Sequence, residues 1–343
     1  LIVDDSAIVR KILTETISAQ PDLEVVGTAP DALVARDKIL ALQPDVVTLD
    51  LEMPGMSGLE FLKRIVQFRP MPVVIISSLT QASCETSLEA LRLGAVEVLA
   101  KPGGPYSIGE LREILPQKLR HAAAAQVTKK VAVPMTRIEP ALVVPGLLQD
   151  RIVAIGASTG GTEAVHQVLR GMPQNTPPIV MTQHIPKPFS TAFAARLNRV
   201  CSFEVREAED GDELKQGLAL LAPGDRHMVV RRHGLGYRVE LIDGPKVCYQ
   251  KPSVDVMFSS VAQAVGNRGI GVLLTGMGTD GAQGLLRMRE AGARTIAQDE
   301  ETCVVYGMPR EAARLGAAER VLGLPGIADG IMQVASHAVR VRS

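Results

Sequence analysis

Short apolar runs recur through the first third of the chain, spaced to leave room for a helix between each pair. The runs at residues 1–3, 23–29, 46–49, 73–77 and 96–100 are candidate strands. The intervening stretches change period. Residues 7–18 and 59–67 carry apolar positions three and four apart, the spacing of one helix face. This alternation predicts a parallel sheet covered by helices on both sides. From 122 to 149 the pattern stops: four alanines at 122–125 are followed by two lysines, then Pro134, Pro140 and Pro145, which reads as a linker stiffened by proline. Alternation resumes at Arg151. Strands are expected at 152–155, 179–182, 218–221, 228–230, 238–241 and 271–275, and helices at 162–169, 189–198, 254–265 and 282–291. The expected organisation is two α/β domains, 1–121 and 150–343, each a doubly wound parallel sheet, joined by a linker at 122–149.

Composition narrows the partners. With 343 residues, each half is long enough to bury its own core. Lys plus Arg and Asp plus Glu both total 37, so no net field draws the chain to nucleic acid or an anionic membrane. There is no Trp, and aromatics are 3% of residues, which argues against a base-stacking platform. No apolar run approaches the roughly 20 residues that span a bilayer. Cys84, Cys201, Cys248 and Cys303 are scattered, with no CxxC pair, so neither a zinc site nor a disulfide framework is indicated. A reducing, cytoplasmic compartment fits. The chain begins inside its first predicted strand without Met, so its start is expected to be trimmed.

Chemistry gathers at strand ends. Asp4 and Asp5 directly follow the first run, Asp50 the third and Lys101 the fifth. In a parallel sheet these groups meet at the carboxyl edge, where such sheets bind ligands. Clustered carboxylates repel one another unless a cation lies among them, and hard oxygen donors suit Mg²⁺. A carboxylate beside Mg²⁺ can attack a phosphoryl donor. Lys101 and a hydroxyl such as Ser77 would then hold the new phosphoryl oxygens.

In the second half, Gly156-Ala157-Ser158-Thr159-Gly160 follows an apolar run and precedes a helix, the setting of a nucleophile elbow. A plain tight turn and a phosphate-binding glycine loop are competing readings. A P-loop, however, needs a lysine where Thr162-Glu163 stand, and a dinucleotide loop needs glycine at Ser158. His184 ends the run at 179–182, and Asp280 follows Gly276-Met277-Gly278-Thr279 after the run at 271–275. Ser158, His184 and Asp280 would then share one sheet edge as nucleophile, base and orienting acid. His227 is the nearest rival histidine, but Asp225-Arg226-His227 follows Pro223-Gly224 and reads as a surface loop. The rival acids are Asp243, Asp255 and Asp299.

The first 121 residues or so resemble the receiver domain of bacterial response regulators. Asp4 and Asp5 match its acidic pair, Asp50 its phosphoacceptor, Ser77 its switch hydroxyl and Lys101 its lysine, and Met53-Pro54-Gly55-Met56-Ser57-Gly58 matches the following loop. Val98 stands where many receivers carry a switch aromatic. From about 150 onward the chain resembles the chemotaxis protein-glutamate methylesterase domain. The matching stretches are Ile155 to Thr162, Thr182-Gln183-His184, Pro252-Ser253-Val254-Asp255, Leu274 to Gly278 and Tyr306-Gly307-Met308-Pro309-Arg310. Together these resemble a CheB-type chemotaxis response regulator, with a flavodoxin-like receiver ahead of a Rossmann-like methylesterase domain. The resemblance implies a triad of Ser158, His184 and Asp280, with Met277 and Thr159 as oxyanion donors and no cofactor for ester hydrolysis. It implies Mg²⁺ held by Asp5, Asp50 and the backbone carbonyl of Glu52. The implied substrates are methylated glutamates of methyl-accepting chemoreceptors, yielding glutamate and methanol, with glutamine deamidation as a second reaction. A histidine kinase is the implied phosphodonor, the unphosphorylated receiver is expected to inhibit, and the place of action is the cytoplasm at receptor clusters. Two rival classes are a phosphorylation-dependent binding module on an inactive hydrolase fold, opposed by the complete triad, and a DNA-binding regulator, opposed by the neutral charge.

Overall fold

The computed structural model describes residues 1–102, 105–126 and 151–337, except the side chains at 105–107, 110 and 337; most of the expected linker lies outside them. The chain divides into two compact units, Leu1–Ala132 and Val133–Ser343.

In the first unit, β1 (Ile2–Val3), α1 (Ala7–Ser18), β2 (Thr28–Ala29), α2 (Ala32–Leu42), β3 (Val47–Asp50), α3 (Gly58–Phe68), β4 (Val73–Ser77), α4 (Gln81–Leu93), β5 (Glu97–Ala100) and α5 (Pro105–Ala123) alternate. The sheet is parallel, in the order β2-β1-β3-β4-β5. The chain reverses direction between β1 and β3, where an open sheet leaves a crevice beyond its strand ends. Four helices start on a side-chain cap: Ser6, Asp31, Ser57 and Thr80 each accept an N–H from the first turn. The run at 23–29 gives only the two residues of β2, because it is an edge whose Glu24 and Val26 face solvent.

The second unit contains β6 (Ile152–Ala157), α6 (Gly161–Arg170), β7 (Ile179–Gln183), α7 (Lys187–Val200), β8 (Glu204–Glu207), β9 (Leu218–Leu221), β10 (His227–His233), β11 (Gly236–Ile242), α8 (Val254–Val265), β12 (Gly269–Leu273), α9 (Ala282–Glu290), β13 (Arg294–Gln298), α10 (Met308–Arg314), β14 (Arg320–Leu322) and α11 (Ile327–His337). Seven strands form a parallel sheet, β14-β13-β12-β6-β7-β9-β8. Its reversal point lies between β6 and β12. The expected strands at 228–230 and 238–241 do not join this sheet. They pair with each other as the antiparallel hairpin β10–β11. Met228 and Val230 of the hairpin share one core with Met257, Phe258 and Val261 of α8 and with Leu285 and Met288 of α9. α8 is thereby held between hairpin and sheet, with its N-terminus at the carboxyl edge.

Candidate active site and phosphoacceptor pocket

The turn after β6 is built from small residues because nothing larger fits. Gly160 has φ +76°, and a Cβ there would lie 2.6 Å from Val304. A Cβ on Gly161 would lie 2.6 Å from the Ala157 Cβ. The buried Ser158 donates its N–H to Thr275 O (3.0 Å) and accepts at its carbonyl from Gly161 N (2.7 Å). The register Ala157↔Gln183 then brings His184, at the end of β7, alongside Ser158, with His184 N donating to Ala157 O (3.2 Å).

His184 Nε2 lies 2.8 Å from Asp280 Oδ2. An ionised carboxylate only accepts, so Nε2 carries the proton and Nδ1 is the basic nitrogen. Nδ1 is buried and has no hydrogen-bond partner among the described residues. Among the described residues no hydrogen bond joins Ser158 Oγ to His184; contacts of this kind often close only with substrate present. Asp280 Oδ1 accepts from Ser253 Oγ (2.7 Å) and Asp255 N (3.0 Å), and Oδ2 also accepts from Val254 N (2.7 Å). Burial pushes the Asp280 carboxyl up, but the hydrogen bond and charge of His184, with the donors at the start of α8, more than offset it. Its pKa therefore falls below the ordinary carboxylate value, and it stays ionised.

Two peptide groups at this edge have their orientation fixed by hydrogen bonds. The carbonyl of Gly276 accepts from Gly307 N (3.1 Å) and Met308 N (2.7 Å), so the N–H of Met277 in the same trans peptide points the opposite way. The carbonyl of Ser158 accepts from Gln183 Nε2 (2.8 Å) as well as from Gly161 N, which fixes the N–H of Thr159 likewise. Ser158, His184, Asp280, Met277 and Thr159 thus all lie on loops at the carboxyl ends of β6, β7 and β12.

The structure changes the reading of His227 and the rival acids. His227 is not on a surface loop. It opens β10 with 2% exposure, its Nδ1 accepting from Ser253 N (3.1 Å) and its Nε2 lying 3.0 Å from Pro245 O. The turn signalled by Pro223-Gly224 ends before it. Asp243 is an exposed partner of Lys251, and Asp299 bonds the Thr302 N–H and hydroxyl. Asp255 is buried beside Asp280 and accepts from Gly284 N (2.6 Å), with burial pushing its carboxyl up. Gln183 and Ser253 stood in quoted motifs without a role; their contacts now give them one.

In the first unit, carboxylate oxygens of Asp4, Asp5 and Asp50 lie within 4.8 Å of one another. Lys101 Nζ is 2.7 Å from Asp50 Oδ2 and 3.1 Å from Asp4 Oδ2. Lys101 is thus the ion-pair partner of Asp4 Oδ2, which makes no other contact of this kind among the described residues. Ser77 Oγ is likewise buried without a partner. Burial raises the Asp50 carboxyl above the ordinary value despite the opposing pull of Lys101. Three clustered carboxylates that share one ammonium, with Asp50 further destabilised by burial, are what a hard cation would relieve, so the residues fit Mg²⁺. The Glu52 N–H donates to Asp50 Oδ1 (3.1 Å), and its carboxylate turns to Ser78 and Ser83. The Glu52 side chain is thus engaged away from the carboxylate cluster, leaving its backbone carbonyl as the group it could offer a metal. Val98 is buried in β5.

Comparison with known proteins agrees with both halves. Residues 153–331 match the CheB methylesterase family and residues 1–114 the response regulator receiver domain. A protein-glutamate methylesterase/protein-glutamine glutaminase of Syntrophus aciditrophicus is 51% identical over 97% of this chain and 98% of its own length. One of Salmonella typhimurium is 47% identical over 100% of this chain and 98% of its own. The crystal structure of the Thermotoga maritima CheB methylesterase catalytic domain superposes with a TM-score of 0.53 at 36% identity, covering 54% of this chain and 98% of that one. The chain belongs to the CheB methylesterase family, with a response regulator receiver domain ahead of its methylesterase domain.

Proposed function

We propose that this chain hydrolyses methyl esters of glutamate side chains on chemoreceptors, releasing methanol, and that phosphorylation of Asp50 raises the rate. The observation that carries the reading is the His184 ring, fixed on Asp280 through Nε2 with Nδ1 bare beside the Ser158 elbow. Ser158 Oγ attacks the ester carbonyl as His184 Nδ1 takes its proton, and Asp280 stabilises the imidazolium that results. The N–H groups of Met277 and Thr159 receive the oxyanion, worth about 3–4 kcal/mol per donor in comparable sites. The carbon–oxygen bond to methoxide breaks, and His184 returns the proton to give methanol. Water, deprotonated by His184, then releases the glutamate from Ser158. A glutamine amide follows the same course with ammonia leaving, as the glutaminase names of the relatives suggest. No cofactor enters these steps.

Asp50 is the phosphoacceptor for a histidine kinase, with Lys101 and Ser77 placed for the phosphoryl oxygens. Asp5, Asp50 and the Glu52 carbonyl would hold Mg²⁺, beside Asp4, and the ion would neutralise charge on the transferring group. We assign the receiver to 1–121, the linker to 122–149 and the catalytic domain to 150–343. Cytoplasmic action at receptor clusters follows from the substrate; among the described residues no helix is long and apolar enough to cross a membrane. The test is methanol release from methylated receptor membranes. Release that rises with a small phosphodonor and disappears in Ser158→Ala supports the reading. Release unaffected by that substitution overturns it.

A further inference from the structure

The carboxylate of Asp280 sits in the loop between β12 and α9, yet three of its four hydrogen bonds come from the start of α8. Two of those donors are backbone N–H groups. Among the described residues, Ser253 Oγ is the only side chain besides His184 that donates to Asp280. A hydroxyl has one proton. Ser253 Oγ accepts from Val256 N as the helix cap (3.4 Å), so its proton is committed to Asp280. The Ser253 backbone is held in turn, since its N–H donates to Nδ1 of the buried His227. That bond makes Nδ1 an acceptor and places the ring proton on Nε2, which donates to Pro245 O. A directed series of bonds thus runs from β10 through the N-cap residue of α8 to the acid behind His184.

Resting on the esterase reading above, we propose that Ser253 is a positioning residue that sets the basicity of His184 through Asp280, and that His227 is the anchor holding Ser253 in place. The physical reason is charge sharing. A donor on the carboxylate draws off part of its negative charge, leaving less to stabilise the imidazolium form of His184. His184 is a base only when neutral, so this donor keeps the site active to lower pH. The other ionisable groups facing the pair are Asp255 on α8, Cys248 in the loop before it and, through Asp255, Arg287 on α9. All are left in place by the substitutions below, so they contribute equally to variant and parent.

The experiment measures kcat and KM for methanol release across pH, using the full chain with a phosphodonor and dividing each variant's rate by the parent's at the same pH. Ser253→Ala should lower kcat on the order of tenfold, leave KM unchanged and move the acid limb up by about half to one pH unit, the shift that one neutral hydrogen bond supplies. A loss that merely reflects a weakened helix cap lowers the rate equally at every pH; an unshifted acid limb therefore overturns the proposal. His227 gives an independent arm with the cap intact. His227→Asn keeps an acceptor near the Nδ1 position and should stay within about threefold of the parent. His227→Gln keeps only the donor toward Pro245 and should reproduce the shift seen in Ser253→Ala. Equal behaviour of these two variants overturns the anchoring role. If the parent itself releases no methanol, or Ser158→Ala matches it, the esterase reading fails and this one with it. An active parent with an unshifted Ser253→Ala profile overturns this one alone.

Discussion

Ser158 is one small hydroxyl in a turn made almost wholly of glycine and alanine, so its removal should cost chemistry and little else. Ser158→Ala is expected to lower methanol release by on the order of 10⁶ while leaving the thermal midpoint unchanged. His184→Gln should fall nearly as far, because the hydroxyl then has no base. Asp50 behaves oppositely. Its folded pKa is raised by burial, so its contribution to stability is present below the unfolded carboxylate pKa and is lost as pH rises through the folded one. Above that pKa it is charged and destabilising. Asp50→Asn should therefore raise the melting temperature of the first unit by a few degrees in calorimetry without Mg²⁺, while abolishing phosphate uptake. No rise would mean that Lys101 already neutralises the site. Ser158, His184, Asp280, Asp50 and Lys101 were legible because each stands at the end of an apolar run, and parallel strands bring such ends together. Gln183, Ser253 and His227 were not, because each acts on a residue 25 to 27 positions away through a contact that only the folded chain creates. For His227 the preceding Pro-Gly pair pointed to a loop, and sequence carries no mark of where a turn ends and a strand begins.

Elements differ in how plainly their sequences announce them. β3, β4, β6, β7 and β12 are buried on both faces and read as continuous apolar runs. β8 (Glu-Val-Arg-Glu) and β14 (Arg-Val-Leu) are edges with polar positions, and β13 buries Thr295 and Gln298. None of these gives a period, and all were missed. Gln298 explains its own presence: its Oε1 accepts from Thr275 N at the end of β12, where a longer strand would otherwise run. α2 is announced only by the gap between two runs, because its apolar residues are not confined to one face, Leu33 and Leu40 being exposed. The elbow supplies the prediction at this scale. Gly160→Ala forces a left-handed residue to carry a Cβ against Val304, so it should cost well over 1 kcal/mol in urea unfolding and suppress methanol release. Gly211→Ala meets the same backbone penalty at φ +87° in open space. It should cost only about 1 kcal/mol and leave the rate alone. Equal costs at both positions would mean that the close approach of Val304 does not constrain the turn.

At the scale of the whole molecule, a switch unit and a hydrolytic unit each carry their own sheet and core, so control has to pass between separable bodies. A chain beginning near residue 147 should release methanol about tenfold faster than the unphosphorylated full chain if the receiver restrains the esterase, since a few kcal/mol of coupling suffices. A phosphodonor should speed the full chain and leave the short one unchanged. Equal unstimulated rates would leave activation by the phosphorylated receiver as the only form of control. The two units also answer to cations in opposite ways. Cys248, Asp255 and Asp280 bring ligand atoms within 4.8 Å of one another, the same spacing as Asp4, Asp5 and Asp50. Yet Asp280 already accepts four hydrogen bonds, two on each oxygen, whereas Asp4 Oδ2 meets only the Lys101 ammonium among the described residues. An ion added to the solution finds vacant lone pairs in one unit and none on the acid of the other. Chelation should accordingly erase the response to phosphodonor while sparing the unstimulated rate, so a chelator alone separates signal reception from ester cleavage in the intact chain.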